Sequence, residues 1–155
     1  MDEDRLRRNW DDLLQELRVS QAGVQILTGF LLTVPFSSRF GDLSNLQQAI
    51  YAVAVIGSVV TTALVVAPVA FHRVLFREHA RPWLVAAGNR CALAGLFTLA
   101  LTVCAVLVLV FDVVFGDLAA VVVGAGCLLL FAVLWLGIPL LMGRRHPANE
   151  KSGTA

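Results

Sequence analysis

The fold is decided by residues 89–145, NRCALAGLFTLALTVCAVLVLVFDVVFGDLAAVVVGAGCLLLFAVLWLGIPLLMGRR. Two long apolar runs lie between Arg90 and the pair Arg144 and Arg145, and the short segment between the runs carries only acidic charge. A membrane-crossing helix needs about 20 predominantly apolar residues, so each run is long enough to cross a bilayer. Because lysine and arginine are retained on the cytoplasmic side, this stretch predicts a hairpin of two helices that leaves the cytoplasm and returns to it.

Charge alternates in the same way along the whole chain. Eleven of the twelve basic residues lie in three segments, at the start, in the middle and at the end, and only Arg39 lies elsewhere. Hydrophobic residues make up 58% of the chain and charged residues 15%, whereas soluble domains average roughly 45 to 50% and 25%. The sequence therefore predicts an all-α integral membrane protein with four transmembrane helices and both termini in the cytoplasm.

The length of the chain allows one transmembrane domain with small appendages. A cytoplasmic amphipathic helix is predicted at 1–18, followed by the transmembrane domain at 19–142 and a cytoplasmic tail at 143–155. Short polar connections join the first span to the second and the third to the fourth, and a longer basic connection joins the second to the third. The predicted spans are 19–36, 46–71, 91–111 and 118–142.

The first 18 residues show the periodicity of an amphipathic helix. Apolar residues recur on one face of this helix, and the other faces are charged. A helix that lies against the cytoplasmic leaflet fits this pattern. A solvated helical segment that only leads into the first span fits it equally well. The apolar residues are Leu6, Trp10, Leu13, Leu14 and Leu17.

The first span is the most polar of the four. Arg18, Gln21, Gln25 and Thr28, which we call the polar stripe, recur every three or four residues and therefore share one face of the helix. Since an amide in hydrocarbon needs a hydrogen-bond partner, we expect this face to point into protein rather than lipid. The stripe then provides either hydrogen bonds between helices or a polar path for a substrate.

No sequence pattern points to catalysis. An ion-coupled transporter needs an ionisable group within the membrane, and the interiors of the predicted spans contain no Asp, Glu, Lys, Arg or His. The nearest carboxylates are Glu16 and Asp112, at span boundaries. Cys91, Cys104 and Cys127 lack the spacing of zinc ligands and are expected to be reduced and packed. We therefore expect no enzyme activity, no metal and no cofactor.

Two other features concern what the chain contacts. Arg73, Arg77 and Arg81 in the basic connection either bind anionic lipid headgroups or only mark the cytoplasmic side. Small residues recur every four positions in two spans, which favours close contact between helices. The expected partners are the lipid bilayer and either a second copy or a larger membrane protein, and not nucleic acid. The small residues are Ala54, Ser58 and Thr62 in the second span and Ala120 and Gly124 in the fourth.

Three runs of sequence carry a family resemblance. They are WDDLLQELRVSQAGVQILTGFLLTVPFSSRF at 10–40, VAPVAFHRVLFR at 66–77 and NRCALAGL at 89–96. With these runs the chain resembles an uncharacterised domain family of small bacterial four-helix membrane proteins, some of which are labelled sodium:proton antiporter. The resemblance implies a multi-pass protein of the bacterial plasma (inner) membrane, and it transfers no catalytic or binding residue.

Two functions remain as hypotheses. The first is a membrane protein without catalytic chemistry that acts through helix contacts, as a homo-oligomer or as an accessory subunit. The alternative is a small secondary transporter such as a sodium:proton antiporter, or a channel, with a polar path along the first helix. The lack of a carboxylate in the interiors of the predicted spans favours the first hypothesis.

Overall fold

The computed structural model consists of helices joined by short connections. It describes the backbone of residues 3–75, 81–138 and 140 and the side chains of residues 15, 18–71, 73, 86–138 and 140. The long helices are α1 (Glu3–Thr33), α2 (Asn45–Leu75), α3 (Arg81–Phe115) and α4 (Asp117–Ala132). A π-helical turn at Val133–Gly137 continues α4, and 3₁₀ turns at Val34–Phe36 and Phe40–Asp42 lie between α1 and α2.

Each long helix, together with the helical turn that follows α1 or α4, provides a segment that is long and apolar enough to cross a membrane. Many large apolar side chains on these helices are exposed, as expected for a surface that faces lipid. The prediction of an all-α protein with four such helices is confirmed, whereas the predicted tail at 143–155 lies outside the described residues. The four segments are Arg18–Phe36, Asn45–Phe71, Ala86–Phe115 and Asp117–Gly137.

Two helix boundaries differ from those expected from the sequence. α1 continues through the predicted boundary between an N-terminal helix at 1–18 and a first span at 19–36. α3 extends beyond the predicted span 91–111 at both ends and includes Arg90 and Asp112. The prediction ended spans near charged residues, but a helix continues past the edge of an apolar run because its backbone hydrogen bonds are internal.

A single residue, Gly116, connects α3 to α4. Its φ angle of 88° lies in the left-handed region, which glycine adopts without a clash because it has no Cβ. The N–H of Gly116 donates to the carbonyl of Asp112 at 3.0 Å, and the N–H of Ala120 donates to the carbonyl of Gly116 at 3.2 Å. The outer turn expected over 112–117 therefore shortens to one residue, and α3 and α4 form a tight hairpin.

The four helices do not close into a ring. α2 and α3 make the most extensive contact and form the centre, and α1 packs mainly against α2 and to a smaller extent against α3. α4 packs against α3 and, within the described residues, contacts neither α1 nor α2. The α2–α3 pair is therefore the core of the described structure, and no described helix packs on the outward faces of α1 and α4.

Buried residues of α2 recur at alternating intervals of three and four. This mean spacing of 3.5 residues is that of helices that pack as in a coiled coil. The four-residue repeat expected from the sequence holds at Ala54 and Ser58, but the next buried residue is Thr61, and Thr62 is only half-buried. A strict four-residue step drifts around the helix, whereas alternating steps remain on one face. The buried residues of α2 are Tyr51, Ala54, Ser58, Thr61, Val65 and Pro68.

Glycines set the distance between neighbouring helices. A Cβ added at Gly57 of α2 would collide with the Oγ1 of Thr102 in α3. A Cβ added at Gly124 of α4 would lie 2.6 Å from the Cγ2 of Val108 in α3. Ala120 and Gly124 are both buried, as their spacing predicted. Small residues thus allow close helix contact on both sides of α3.

Candidate functional site

The polar stripe of α1 does not form its packing face. Arg18 and Gln25 are exposed and Gln21 is half-buried, whereas Val24 is only 1% exposed and Leu31 4%. α1 therefore packs through apolar residues seven positions apart, because these fit the apolar surface of its neighbours better than amides do. The expectation that the whole stripe points into protein is wrong within one copy of the chain.

Members of the stripe differ in whether a hydrogen-bond partner satisfies them. Thr28 is half-buried, and its hydroxyl donates to the carbonyl of Val24 at 2.8 Å. The side-chain amides of Gln21 and Gln25 make no hydrogen bond in the described part of the chain. Gln25 lies seven residues inside the apolar segment Arg18–Phe36, which is about 10 Å along the helix. Among the described residues, the side-chain amide of Gln25 is therefore exposed within an apolar segment and has no hydrogen-bond partner.

The hydroxyl groups buried between α2 and α3 are satisfied within their own helices. Ser58 and Thr61 are 0% exposed and Thr102 is 3% exposed. Each donates at 2.8 Å to a carbonyl three or four residues earlier. Because these donors are already used, the α2–α3 contact is held by packing and offers no free hydroxyl donor to a substrate at these three positions.

A polar network joins the start of α2 to the end of α3. The N–H of Ser44 donates to the Oε1 of Gln47 at 2.9 Å, and the N–H of Gln47 donates to the Oγ of Ser44 at 3.2 Å. This reciprocal pair is a capping box. The Nε2 of Gln47 also donates to the Oδ2 of Asp112, at 2.9 Å. One glutamine side chain therefore caps α2 and ties it to the half-buried Asp112 of α3.

A tyrosine completes the hydrogen bonding at the end of α1. In a continuous α-helix the N–H of residue 35 would donate to the carbonyl of residue 31, but Pro35 has no N–H. The hydroxyl of Tyr51, on α2, donates to the carbonyl of Leu31 at 2.8 Å in a buried contact. The ring of Phe40 packs edge-on against Tyr51 with 5.3 Å between centroids. Tyr51 thus replaces the missing donor and fixes α1 to α2.

The described charged side chains of the helices lie near the two ends of the apolar segments. We call the end that carries Arg18, Arg73 and Arg90 the basic end, and all three side chains are exposed. The opposite end, with the connection between α1 and α2 and with Gly116, is the loop end. Within the four apolar segments, every charged residue that the structure describes lies close to one end of its segment. The loop end carries Arg39, Asp42, Asp112 and Asp117.

Several residues singled out from the sequence lie outside the described side chains. The backbone at Glu16 belongs to α1 and that at Arg81 begins α3, but their side chains are not described. Arg77 lies outside the described residues altogether. The expected lipid contacts can therefore be placed only at Arg73, which is exposed at the basic end.

Two of the three cysteines meet between α3 and α4. The thiol of Cys104 donates to the Sγ of Cys127, with 3.0 Å between the sulfur atoms. Cys104 is buried and Cys127 is half-buried, and both are free thiols, as is Cys91. In the part of the chain that the structure describes, no group of three or more His, Cys, Asp or Glu residues could hold a metal ion.

Comparison with known families identifies the chain at the level of the family alone. A family of unknown function, DUF6328, matches residues 1–139. The chain belongs to this family. The match to DUF6328 covers all four long helices and confirms the resemblance to an uncharacterised family. No curated protein and no solved structure matches the chain.

In this member of DUF6328 the predicted site residues do not converge. Gln21 and Gln25 lie on α1, Asp112 lies at the loop end, and Arg73 lies at the basic end. The structure instead shows two polar contacts between helices that sequence reasoning missed. The S-x-x-Q pattern at 44–47 would have indicated the capping box, but nothing in the sequence indicates its further bond to Asp112.

Proposed function

We propose that the four helices cross the bacterial plasma membrane with both termini in the cytoplasm. Arg18, Arg73 and Arg90 lie at the basic end, and basic residues next to spans are retained on the cytoplasmic side. The loop end, where Asp112 and Asp117 lie, then faces outward. In this orientation the inward arginines contact anionic lipid headgroups, with an interaction of about 1 kcal/mol for each residue near the surface. Arg73, Arg77 and Arg81 are the residues proposed for this contact.

Within this topology the protein acts through helix contacts rather than through catalysis, and α1 carries the contact surface. The observation that supports this proposal is the exposed amide of Gln25, without a hydrogen bond in the described part of the chain. A polar group left unsatisfied in hydrocarbon is unfavourable by several kcal/mol. An amide on a second helix removes this penalty, because a glutamine both donates and accepts hydrogen bonds.

A second copy of the chain can supply that amide. Gln25 is exposed and α4 does not contact α1 among the described residues, so no described helix of the same copy covers the face that carries Gln25. In a two-fold symmetric dimer, Gln25 of one α1 meets the same residue of the other α1, and each amide has a donor and an acceptor to offer. Gln21, one turn away on the same face, lies next to this contact. We therefore propose a homodimer built on the polar stripe.

Replacement of Gln25 by leucine is expected to weaken this dimer. Hydrogen bonds between membrane helices contribute about 0.6 to 2 kcal/mol, so the dimer dissociation constant should rise by about 3- to 30-fold. The measurement is energy transfer between donor- and acceptor-labelled copies in liposomes over a range of protein-to-lipid ratios. Ile26→Leu is the matched control, since Ile26 is the adjacent residue and is 62% exposed.

Three results bear on the proposal of a homodimer. Equal dimer dissociation constants for Gln25→Leu and the unmodified chain would show that the polar stripe does not form the interface. Strictly monomeric behaviour at all ratios, with a membrane protein that copurifies through Gln25 at native expression, would replace the homodimer by an accessory-subunit role. An equal loss of association in Ile26→Leu would show that the effect is not specific to the amide.

A secondary transporter such as a sodium:proton antiporter, or a channel, is the second candidate function. The observation in its favour is Asp112, a half-buried carboxylate inside the apolar segment Ala86–Phe115 that is hydrogen-bonded to Gln47. Against it, Asp112 lies only three residues from the end of that segment. A carboxylate at the edge of a span binds an ion without carrying it through the membrane centre.

Transport is tested by the collapse of a pH gradient when sodium is added to proteoliposomes. From the position of Asp112 we expect no flux above that of empty liposomes. Flux that disappears in Gln25→Leu with the oligomer intact would instead establish transport along α1, and flux that disappears in Asp112→Asn alone would establish transport that depends on the loop end. Flux that survives both substitutions would show transport by another path.

A further inference from the structure

We infer that Cys104 and Cys127 form a site of reversible covalent modification, an internal disulfide that links α3 to α4. The two Sγ atoms are 3.0 Å apart, and a disulfide requires about 2.05 Å. A displacement of about 1 Å therefore brings the sulfur atoms to bonding distance. The residues lie on different helices and are separated by 23 positions, so the contact arises from the packing of α3 on α4 and not from local sequence.

The position of the pair selects the oxidant. Cys104 lies eleven residues before the end of α3, and Cys127 lies ten residues after the start of α4. Both thiols are therefore about 15 Å from the loop end, near the middle of a hydrocarbon core that is about 30 Å thick. Hydrophilic oxidants do not enter that region, whereas dioxygen and lipophilic complexes such as copper phenanthroline do. Cys127 is half-buried and so is reachable from the lipid side.

The reaction consumes the two thiols and one molecule of dioxygen. Each thiol gives up one proton and one electron, an S–S bond forms between Cys104 and Cys127, and dioxygen is reduced to hydrogen peroxide. Two molecules of a low-molecular-weight thiol reduce the disulfide again: the first forms a mixed disulfide, the second displaces the protein thiol, and the two are released joined as a disulfide. Since α4 packs only against α3 in the described part of the chain, this single bond covalently secures the only described helix contact that α4 makes.

The unmodified chain in proteoliposomes, with all three cysteines, is used for the test. Copper phenanthroline in air catalyses the oxidation, and the protein is then denatured and treated with N-ethylmaleimide. Mass spectrometry should show three maleimide adducts before oxidation and one adduct after it, located on Cys91, with a linked Cys104–Cys127 peptide pair. Dithiothreitol before alkylation should restore three adducts. Three adducts after oxidation, or a link that involves Cys91, would overturn the inference.

Two variants provide the controls. Cys127→Ser should retain two adducts with and without oxidation, and loss of adducts in this variant would contradict an internal pair. Cys127→Ser combined with Leu128→Cys retains three thiols at nearly the same depth but moves one of them by one position around α4. Leu128 is 48% exposed, so this variant should also remain fully alkylated. A link from Cys104 to residue 128 would show nonspecific collision rather than a built pair.

Discussion

Replacement of Gly57 by leucine is expected to force α2 and α3 apart and to lower the free energy of unfolding by about 3 kcal/mol or more. Overpacking of a well-packed interior costs typically 1–3 kcal/mol, and here the new side chain enters the central helix contact. Even the Cβ atom would collide with the Oγ1 of Thr102. Thr102 cannot rotate away easily, because it is β-branched and its hydroxyl is bonded to the carbonyl of Thr98 at 2.8 Å.

The free energy of unfolding can be measured by titrating the protein in a mild detergent with sodium dodecyl sulfate while following tryptophan fluorescence. Gly126→Leu is the matched control, since nothing lies within 4 Å of a Cβ added at Gly126. The smaller substitution Gly57→Ala should also destabilise the protein, and Thr102→Ala should relieve its effect in the double variant. Unchanged stability in Gly57→Ala, or no relief by Thr102→Ala, would contradict the close contact.

Replacement of Gly124 by leucine is expected to detach α4 while the α2–α3 hairpin remains folded. A Cβ at Gly124 would lie 2.6 Å from the Cγ2 of Val108, and no other helix contacts α4 within the described ranges. A loss of about 1–3 kcal/mol from this one contact raises the population of detached α4 by roughly 5- to 150-fold. Detachment exposes Cys127, which lies one turn further along α4.

The rate of alkylation of Cys127 by N-ethylmaleimide in mild detergent measures this detachment. It should rise by about 5- to 150-fold in Gly124→Leu and stay constant in Gly126→Leu, because position 126 faces open space. The alkylation rate of Cys91, which lies near the opposite end of α3, is the internal reference. An equal rise at Cys91 would indicate global unfolding and would reject the independence of α4.

The number of helices and their apolar segments were predictable because hydropathy is a local property. The apolar runs are each about as long as is needed to cross a bilayer, or longer, and this count does not depend on tertiary contacts. Helix ends were less predictable. Arg90 and Asp112 bound an apolar run in the sequence, yet both lie inside α3 because helical hydrogen bonding continues past them.

The packing face of α1 was not predictable from polarity alone. Gln21 and Gln25 share a helix face, but α1 buries Val24, which lies beside them, and Leu31. The rule that polar residues in membranes face protein does not say whether that protein is the same copy or a partner. In one copy of this chain Gln25 is exposed. The contact of Cys104 with Cys127 depends on the register of α3 against α4, which spacing along the chain does not encode.

The one-residue connection at Gly116 limits how α4 can move. A loop of several residues would let α3 and α4 slide along each other. A connection of one residue, Gly116 with φ of 88°, is too short to allow this sliding. What remains is rotation about a pivot, in which displacement grows with distance from Gly116. The end of α4 farthest from Gly116 is therefore displaced most by a given rotation. The contacts that Gly124 and Cys127 make with α3, midway along α4, restrain this rotation.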